Sequence, residues 1–377
     1  MEETGKRRIV IAFAFFVGLV YFFVCATPLP RELGIEPVWS RKIEVAPGEL
    51  PAMPGYAEKG AGTVHSFRLG PTFGYFDEGG KDIVAAGVPF NVAVSDDAYI
   101  LYDREPAALA MKTPDGRVSA RISEPGYPFF GGGRTFVMHP GQTSVAEIGR
   151  DGRAIWSRDF SSIVTAFDAR PGLALFGLMD GRLVGIAPDG AVLLDFAPGG
   201  SRIEGVYGCA VSPDSLMAAA ICGLDKQRLV VLEKRSAAYR VAWHRWLESD
   251  FRRPVSMSFT EDGAHLLYES PSGLGIYATG SRTETSVSTK AVSGIGLSSP
   301  GRGILLAVEG AGPGKNLLCA SAAGKRLFTL PFSGEASFAS IAADAIFLGA
   351  SSADGSASSP GCASWYSRPA STMKLAK

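Results

Sequence analysis

The sequence predicts an all-β chain assembled from repeated four-stranded units, and three observations carry that prediction. Apolar runs recur at a spacing of about forty residues. Asp-Gly and Ser-Pro-Asp turns close those runs in the way tight hairpins need. The 46 glycines and 24 prolines in 377 residues suit many short elements joined by turns. Past residue 27 no segment holds an i, i+3, i+4, i+7 apolar pattern over about ten residues, so little helix is expected there. The 37 basic and 37 acidic side chains cancel, which leaves no bulk positive field to gather nucleic acid and no acidic excess. A hydrophobic content of 46% belongs to a folded chain. The five cysteines, Cys25, Cys209, Cys222, Cys319 and Cys362, are odd in number and show no CxxC or CxH spacing, which argues against a zinc site or a disulfide framework.

Residues 9–26 read IVIAFAFFVGLVYFFVCA, a stretch without a charge that follows Lys6, Arg7 and Arg8. As a helix this stretch is about 27 Å long, close to the ~30 Å hydrocarbon core of a bilayer. The expected organisation is therefore a cytoplasmic tail at 1–8 and a single transmembrane anchor at 9–26. Everything beyond would be exported across the inner (cytoplasmic) membrane into the periplasm, with the N-terminus inside. A cleaved signal peptide ending at Val24-Cys25-Ala26 is the alternative; the length and Phe content of the apolar stretch favour the anchor. Residues 27–62 carry Pro28, Pro30, Pro37, Pro47, Pro51 and Pro54, a density that holds the chain extended and reads as a stalk.

The folded part is expected over 63–350. Its clearest unit, 206–243, has Cys209 to Val211 as a first strand, Ser212-Pro213-Asp214 as a turn and Leu216 to Ile221 as a second strand. Leu229 to Leu232 and Tyr239 to Trp243 supply the third and fourth strands. Units with the same grammar begin at 90, 129, 163, 206, 254, 294 and 336. Four strands need about forty residues, and radial stacking of such units buries both faces of every sheet. This arrangement is a β-propeller, with seven four-stranded blades expected and eight as the alternative count. The segment 63–88 is expected to pair with the last unit and close the ring. The Ser/Gly-rich segment 351–377 is expected to follow the ring or contribute to its last blade.

Two sets of residues carry a family resemblance. AVSPDSLMAAA at 210–220 and SFTEDGAHLLYE at 258–269 look like the first hairpin of WD40-like blades. Asp151-Gly152-Arg153-Ala154-Ile155-Trp156 looks like the DGxxxW end of a quinoprotein-like blade. Over roughly residues 65–350 the chain resembles the WD40-like and quinoprotein-like β-propeller superfamily, in the form of a membrane-anchored bacterial envelope protein. The resemblance implies the fold and says little about function. Envelope propellers that scaffold outer-membrane protein assembly are an analogy at the level of fold.

Catalytic constellations are missing from the sequence. His65, His139, His244 and His265 fall in different units without HxH or HxxxH spacing, and each is expected to be a solvent or turn histidine. There is no GxSxG elbow. The run GAGPGK at 310–315 has Asn316 where a phosphate loop needs Ser or Thr and lies between strands, so it reads as a hairpin turn. Asp96 and Asp97 occupy a turn slot. No catalytic, cofactor-binding or metal-binding residue is therefore assigned, and no cofactor or enzymatic activity is expected.

Two aromatic and basic clusters remain as candidate interaction sites. The first lies in the longest interval between units and comprises Trp243, His244, Arg245, Trp246, Phe251, Arg252 and Arg253, read as an inter-blade loop; Trp and Arg dominate interface hot spots. The second comprises Tyr127, Phe129, Phe130 and Arg134 beside a glycine run, with a blade-to-blade crossing as its structural alternative. The expected function is a non-catalytic, membrane-anchored scaffold that binds an envelope protein, contacts the membrane through 9–26 and does not bind nucleic acid. The alternative is an enzymatic or ligand-binding propeller of quinoprotein, lactonase or sugar-binding type using the central channel. Its stock of polar ligands is thin, since Asn91 and Asn316 are the chain's asparagines.

Overall fold

The computed structural model describes residues 2–21, 38–59, 64–236, 238–289, 292–299, 304–310, 314–334, 336–342, 345–350 and 362–363. The chain divides into two units, Met1–Gly34 with Met373–Lys377, and Ile35–Thr372. The first holds the helix Glu2–Val20. Among the described residues no helix is long and apolar enough to cross a membrane. The first turns of this helix are the charged EETGKRR, so the helix contains only residues 9–20 of the apolar stretch. Residues 22–26 of the expected span, and 27–37 of the expected stalk, lie outside the described residues.

In the second unit the described residues form seven four-stranded sheets in succession, the number the repeat predicts. Blade 2 comprises Asn91–Val94, Tyr99–Tyr102, Leu109–Lys112 and Val118–Ile122. Blade 3 comprises Tyr127–Gly131, Arg134–Met138, Ser144–Ile148 and Ala154–Asp159. Blade 4 comprises Val164–Arg170, Leu173–Leu178, Leu183–Ile186 and Val192–Phe196. Blade 5 comprises Val206–Val211, Met217–Cys222, Arg228–Arg235 and Ala238–Trp246. Blade 6 comprises Met257–Phe259, His265–Ser270, Gly273–Ala278 and Thr283–Ser288, and blade 7 comprises Val292–Ser299, Ile304–Glu309, Gly314–Ser321 and Arg326–Ser333. Each is an antiparallel meander with its first strand innermost. This connectivity puts the first-to-second and third-to-fourth turns on one face of the ring, the turn face. The second-to-third hairpins and the blade-to-blade links lie on the other, the connection face.

Blade 1 departs from the expectation. The segment 63–88 does not complete the last unit; Val64–Leu69, Thr72–Asp77 and Ile83–Gly87 form a sheet of their own, and Val45–Ala46 adds an outer strand parallel to Ile83–Gly87. Its inner strand also runs against the others. Between blades 4 and 5 the numbering rises together, with Thr165 donating to the Val206 carbonyl and Val211 N–H donating to Asp168. Between blades 1 and 2 it runs oppositely: Arg68 donates to the Val92 carbonyl and Ser66 N–H donates to Asp96. Next to blade 7 the ring holds a hairpin, Ser337–Ala342 with Ala345–Ala350, which packs on blade 1. Beside it Arg41–Lys42 pairs antiparallel with Cys362–Ala363. N-terminal and C-terminal segments thus meet at the seam, and outside 362–363 the residues of 351–377 lie beyond the described ones.

Residues 38–59 of the stalk expected at 27–62 are part of the ring, and 60–62 lie outside the described residues. Ile43, Leu50 and Met53 are buried on blade 1, Trp39 packs on Phe76 and Phe347, and Tyr56–Lys59 forms a short helix. Proline keeps this stretch extended, but the apolar side chains between the prolines gain about 1.5–3 kcal/mol each by burial, which lays the strap against the sheet.

Turn chemistry is regular. In the third-to-fourth hairpins Asp115, Asp151 and Asp189 accept the N–H two residues on, from Arg117, Arg153 and Ala191. The next residue in each is a glycine with φ near +83°. At Gly152 a Cβ would sit 2.1 Å from the Arg121 carbonyl oxygen of blade 2, so this glycine is required by a close approach as well as by φ. Cys209, Cys222 and Cys319 are free thiols packed in the sheets.

Candidate functional site

The first candidate cluster is not a loop at its start. Trp243, His244, Arg245 and Trp246 end the nine-residue outer strand Ala238–Trp246, which pairs with its neighbour until Trp246 faces Arg228. Alternation then splits the cluster. The Trp243 ring packs 4.5 Å from that of Tyr277 in blade 6, and Arg245 pairs with Glu284 of the same blade. His244 is exposed. The link that follows is tethered by the fully buried Gln227. Its carbonyl accepts Leu247 N–H at 2.8 Å, its amide donates to the Phe251 carbonyl at 2.8 Å, and its Oε1 accepts from Ser249 at 2.5 Å. Arg253 grips Glu269 of blade 6 at 2.9 and 2.5 Å with its guanidinium 4.6 Å from the Phe251 ring centre, while Arg252 is exposed. Arg245 and Arg253 therefore clasp blades 5 and 6 together.

The second cluster is not a crossing between blades: Tyr127, Phe129 and Phe130 lie on the inner strand of blade 3 and Arg134 opens its second strand. Phe129 stacks on Phe136 at 5.4 Å and meets Phe167 of blade 4 edge-on at 4.7 Å; Tyr127 packs on Tyr102, and Phe130 packs between blades 2 and 3. Arg134 is buried. Its Nε donates to Glu147 Oε1 at 2.8 Å, its Nη2 pairs with Oε2, and Trp156 donates to the same carboxylate at 2.6 Å. The Trp of the DGxxxW motif thus completes an internal Arg–Glu–Trp clasp, and Arg134 is committed to holding the blade.

The structure joins what remains of both clusters along the connection face. A pocket of about 260 Å³ between blades 3 and 4 is lined by Phe129, Met138, Val164, Thr165, Ala166 and Phe167. From its rim runs a path of exposed apolar side chains, Ile163 at 42%, Met179 at 50%, Ile203 at 46% and Trp246 at 45% exposure. Backbone contacts relate its members: Met179 N–H donates to the Ile163 carbonyl at 2.9 Å, Gly205 lies beside Met179, a Cβ at Gly200 would come within 2.5 Å of the Trp246 ring, and Ile203 lies between those two glycines in the link. The Arg228 guanidinium lies 5.3 Å from the Trp246 ring centre and donates to the Pro198 carbonyl, which fixes the indole. Polar groups border the path. Arg182 pairs with Asp195, and the Ser201 hydroxyl bonded to Asp225 holds that carboxyl below the usual range. Ile163, Met179 and Ile203 were not legible as site residues, because each is a single apolar residue within a polar turn. The signal was there only in retrospect, as apolar side chains where turns need none.

The channel side offers less chemistry. Burial pushes the Asp168 carboxyl up while it accepts N–H from Val211 at 2.7 Å and Ala169 at 2.9 Å. Arg170 reaches Glu261 of blade 6 at 3.3 Å on the turn face. Among the described residues no group of three or more His, Cys, Asp or Glu side chains could hold a metal ion.

Seven four-stranded blades and the hairpin that completes the ring define a β-propeller, here with an apolar path on one face. The chain belongs to a β-propeller protein family, whose model matches residues 1–355. It is 30% identical over 280 residues to an uncharacterized protein of Treponema pallidum (strain Nichols), covering 73% of this chain and 74% of that one. Among solved structures it is similar to BamB from Moraxella catarrhalis, with a TM-score of 0.57 and 11% identity over 89% of this chain and 100% of that one. It is also similar to the computationally designed Ika8 protein, with a TM-score of 0.59 and 12% identity over 88% and 100%. At such identities these two structures share the fold alone. The WD40-like and quinoprotein-like resemblance of the sequence is borne out at that level.

Proposed function

We propose that this propeller is a non-catalytic scaffold, anchored in the inner membrane by residues 9–26 with its N-terminus inside, which binds a protein of the cell envelope through the connection face of blades 3–5. The observation that carries the reading is the path from the Phe129 pocket through Ile163, Met179 and Ile203 to Trp246. Exposed apolar side chains in a row, ended by a Trp braced by Arg, have the make-up of an interface core with a polar rim. Anchoring and export rest on the sequence: an uncharged stretch preceded by Lys6, Arg7 and Arg8.

A photo-crosslinking residue placed at Ile203 in native membranes, with one at Val118 on the turn-face rim as control, tests the binding reading. A protein adduct at Ile203 that disappears with Met179→Asp supports it; no adduct, or equal adducts at both positions, overturns it. Fractionation with sizing of the mature N-terminus tests the anchor against a cleaved signal peptide. The pocket favours a second reading, a propeller that binds a small apolar ligand, but 260 Å³ is below the roughly 300–1,000 Å³ of most ligand sites.

A further inference from the structure

His65 does not fit the expectation of a solvent or turn histidine. It is 7% exposed, on the inner strand of blade 1, where the closing hairpin and blade 2 converge. Its imidazole packs in a cluster with two rings, Phe76 of its own blade at 5.4 Å and Phe347 of the closing hairpin at 5.3 Å, which are 5.0 Å from each other. Its two nitrogens each lie near a carboxylate. Nε2 is 3.6 Å from Glu78, in the turn after Thr72–Asp77, and Nδ1 is 3.7 Å from Asp96, in the first turn of blade 2. Asp97 is next to Asp96. Among the described residues, the two strands of the closing hairpin, SFASIA and AIFLGA, carry no titratable group. Trp39 covers the cluster, packing on Phe76 and Phe347 with its indole donating to the Glu78 carbonyl at 3.0 Å.

We propose that His65 is a proton-operated latch at the seam where the propeller closes. Protonated, it bridges the Glu78 turn of blade 1 and the Asp96 turn of blade 2 beneath Phe347. Deprotonated, it loses both ion pairs and the closing hairpin is less firmly held. The imidazolium carries a positive charge within ion-pair distance of both carboxylates, at 3.6 and 3.7 Å. The neutral ring carries no charge, so both ion pairs are lost, and Nε2 stays a buried polar atom without a hydrogen-bond partner, which is destabilising. Burial alone lowers the basicity of His65, but hydrogen bonding and charge from Asp96, then Glu78, outweigh it, so the group is held above its ordinary value. A group raised on folding contributes stability that is complete below its unfolded value, about 6.5, and is lost as pH rises through the folded value. The latch therefore tightens toward acid and loosens toward alkali.

The test is thermal unfolding of the full-length protein, His65→Gln and Glu78→Gln between about pH 5.5 and 8.5. The other three histidines are common to all three proteins and cancel in the differences. The expected result is a Tm gap between wild type and His65→Gln that is largest at the acid end and shrinks toward the alkaline end. Glu78→Gln, whose side chain lies in an exposed turn, should show a gap of the same sign and pH course. Hydrogen exchange of the 64–69 and 345–350 peptides should quicken with pH, relative to intrinsic rates, in wild type only. A gap that is constant or grows with pH overturns the proposal. If His65→Gln does not fold, Glu78→Gln carries the same comparison.

Discussion

The buried Arg134–Glu147–Trp156 clasp gives the sharpest quantitative expectation. In Glu147→Gln the side chain keeps its shape and can still accept the Trp156 N–H, but the Arg134 guanidinium loses its counter-charge. Both side chains of the pair are less than a tenth exposed, so solvent cannot take over that role. Leaving one member of a buried pair uncompensated costs about 3–5 kcal/mol. An unfolding entropy of roughly 2 cal/mol/K per residue gives about 0.6 kcal/mol/K for a ring of roughly 300 residues, so Tm should fall by about 5–8 °C. Scanning calorimetry of the full-length protein reads that fall. The double variant Arg134→Met with Glu147→Leu removes both charges and leaves the Trp156 N–H as the unpaired group, costing about 1–3 kcal/mol, so it should be more stable than Glu147→Gln alone. A Tm for Glu147→Gln within about 1 °C of wild type, or a double variant less stable than the single, would refute the reasoning.

Three further outcomes follow from the same geometry. Trp243→Ala should destabilise by roughly 2–4 kcal/mol because the ring is packed on blade 6, whereas the exposed Trp246→Ala should change stability by less than about 1 kcal/mol while removing the Ile203 adduct; paired denaturant melts and crosslinking check both. Gly152→Ala forces a Cβ to within 2.1 Å of the Arg121 carbonyl at φ +82°, so it should cost about 2 kcal/mol or more in urea unfolding. Burial pushes the Cys222 and Cys319 thiols up to about 12 and Cys209 well up, so none of the three should react with iodoacetamide near pH 8 until the protein is unfolded, as peptide mass spectrometry will show.

What the sequence revealed and what it hid divide along a physical line. Hairpin turns are local: Asp-Gly and Ser-Pro-Asp encode their own φ values and hydrogen bonds, so the strand grammar of blades 2 to 7 could be read residue by residue. Blade 1 could not be read that way. Its outer strand, Val45–Ala46, is far from the rest in sequence, and its inner strand runs against its neighbours, so no repeat marks it. The strap at 38–59 was read as a stalk because proline reports backbone extension and is silent on what the extended chain lies against. The two candidate clusters divide for a related reason. Composition identified Trp and Arg as a class, but strand alternation decides which of them face a neighbouring blade: Trp243, Arg245 and Arg253 are spent on blade 6, and only Trp246 joins the apolar path. The path itself is assembled from Ile163, Met179 and Ile203, residues of three separate connecting segments that the first hairpin of blade 4 and the link to blade 5 bring together. A surface of that kind depends on the rigidity of the ring behind it. The Arg–Glu pairs between blades 5 and 6 and the clasp in blade 3 therefore stand on either side of the proposed interface, so loosening either should weaken binding without touching a contact residue.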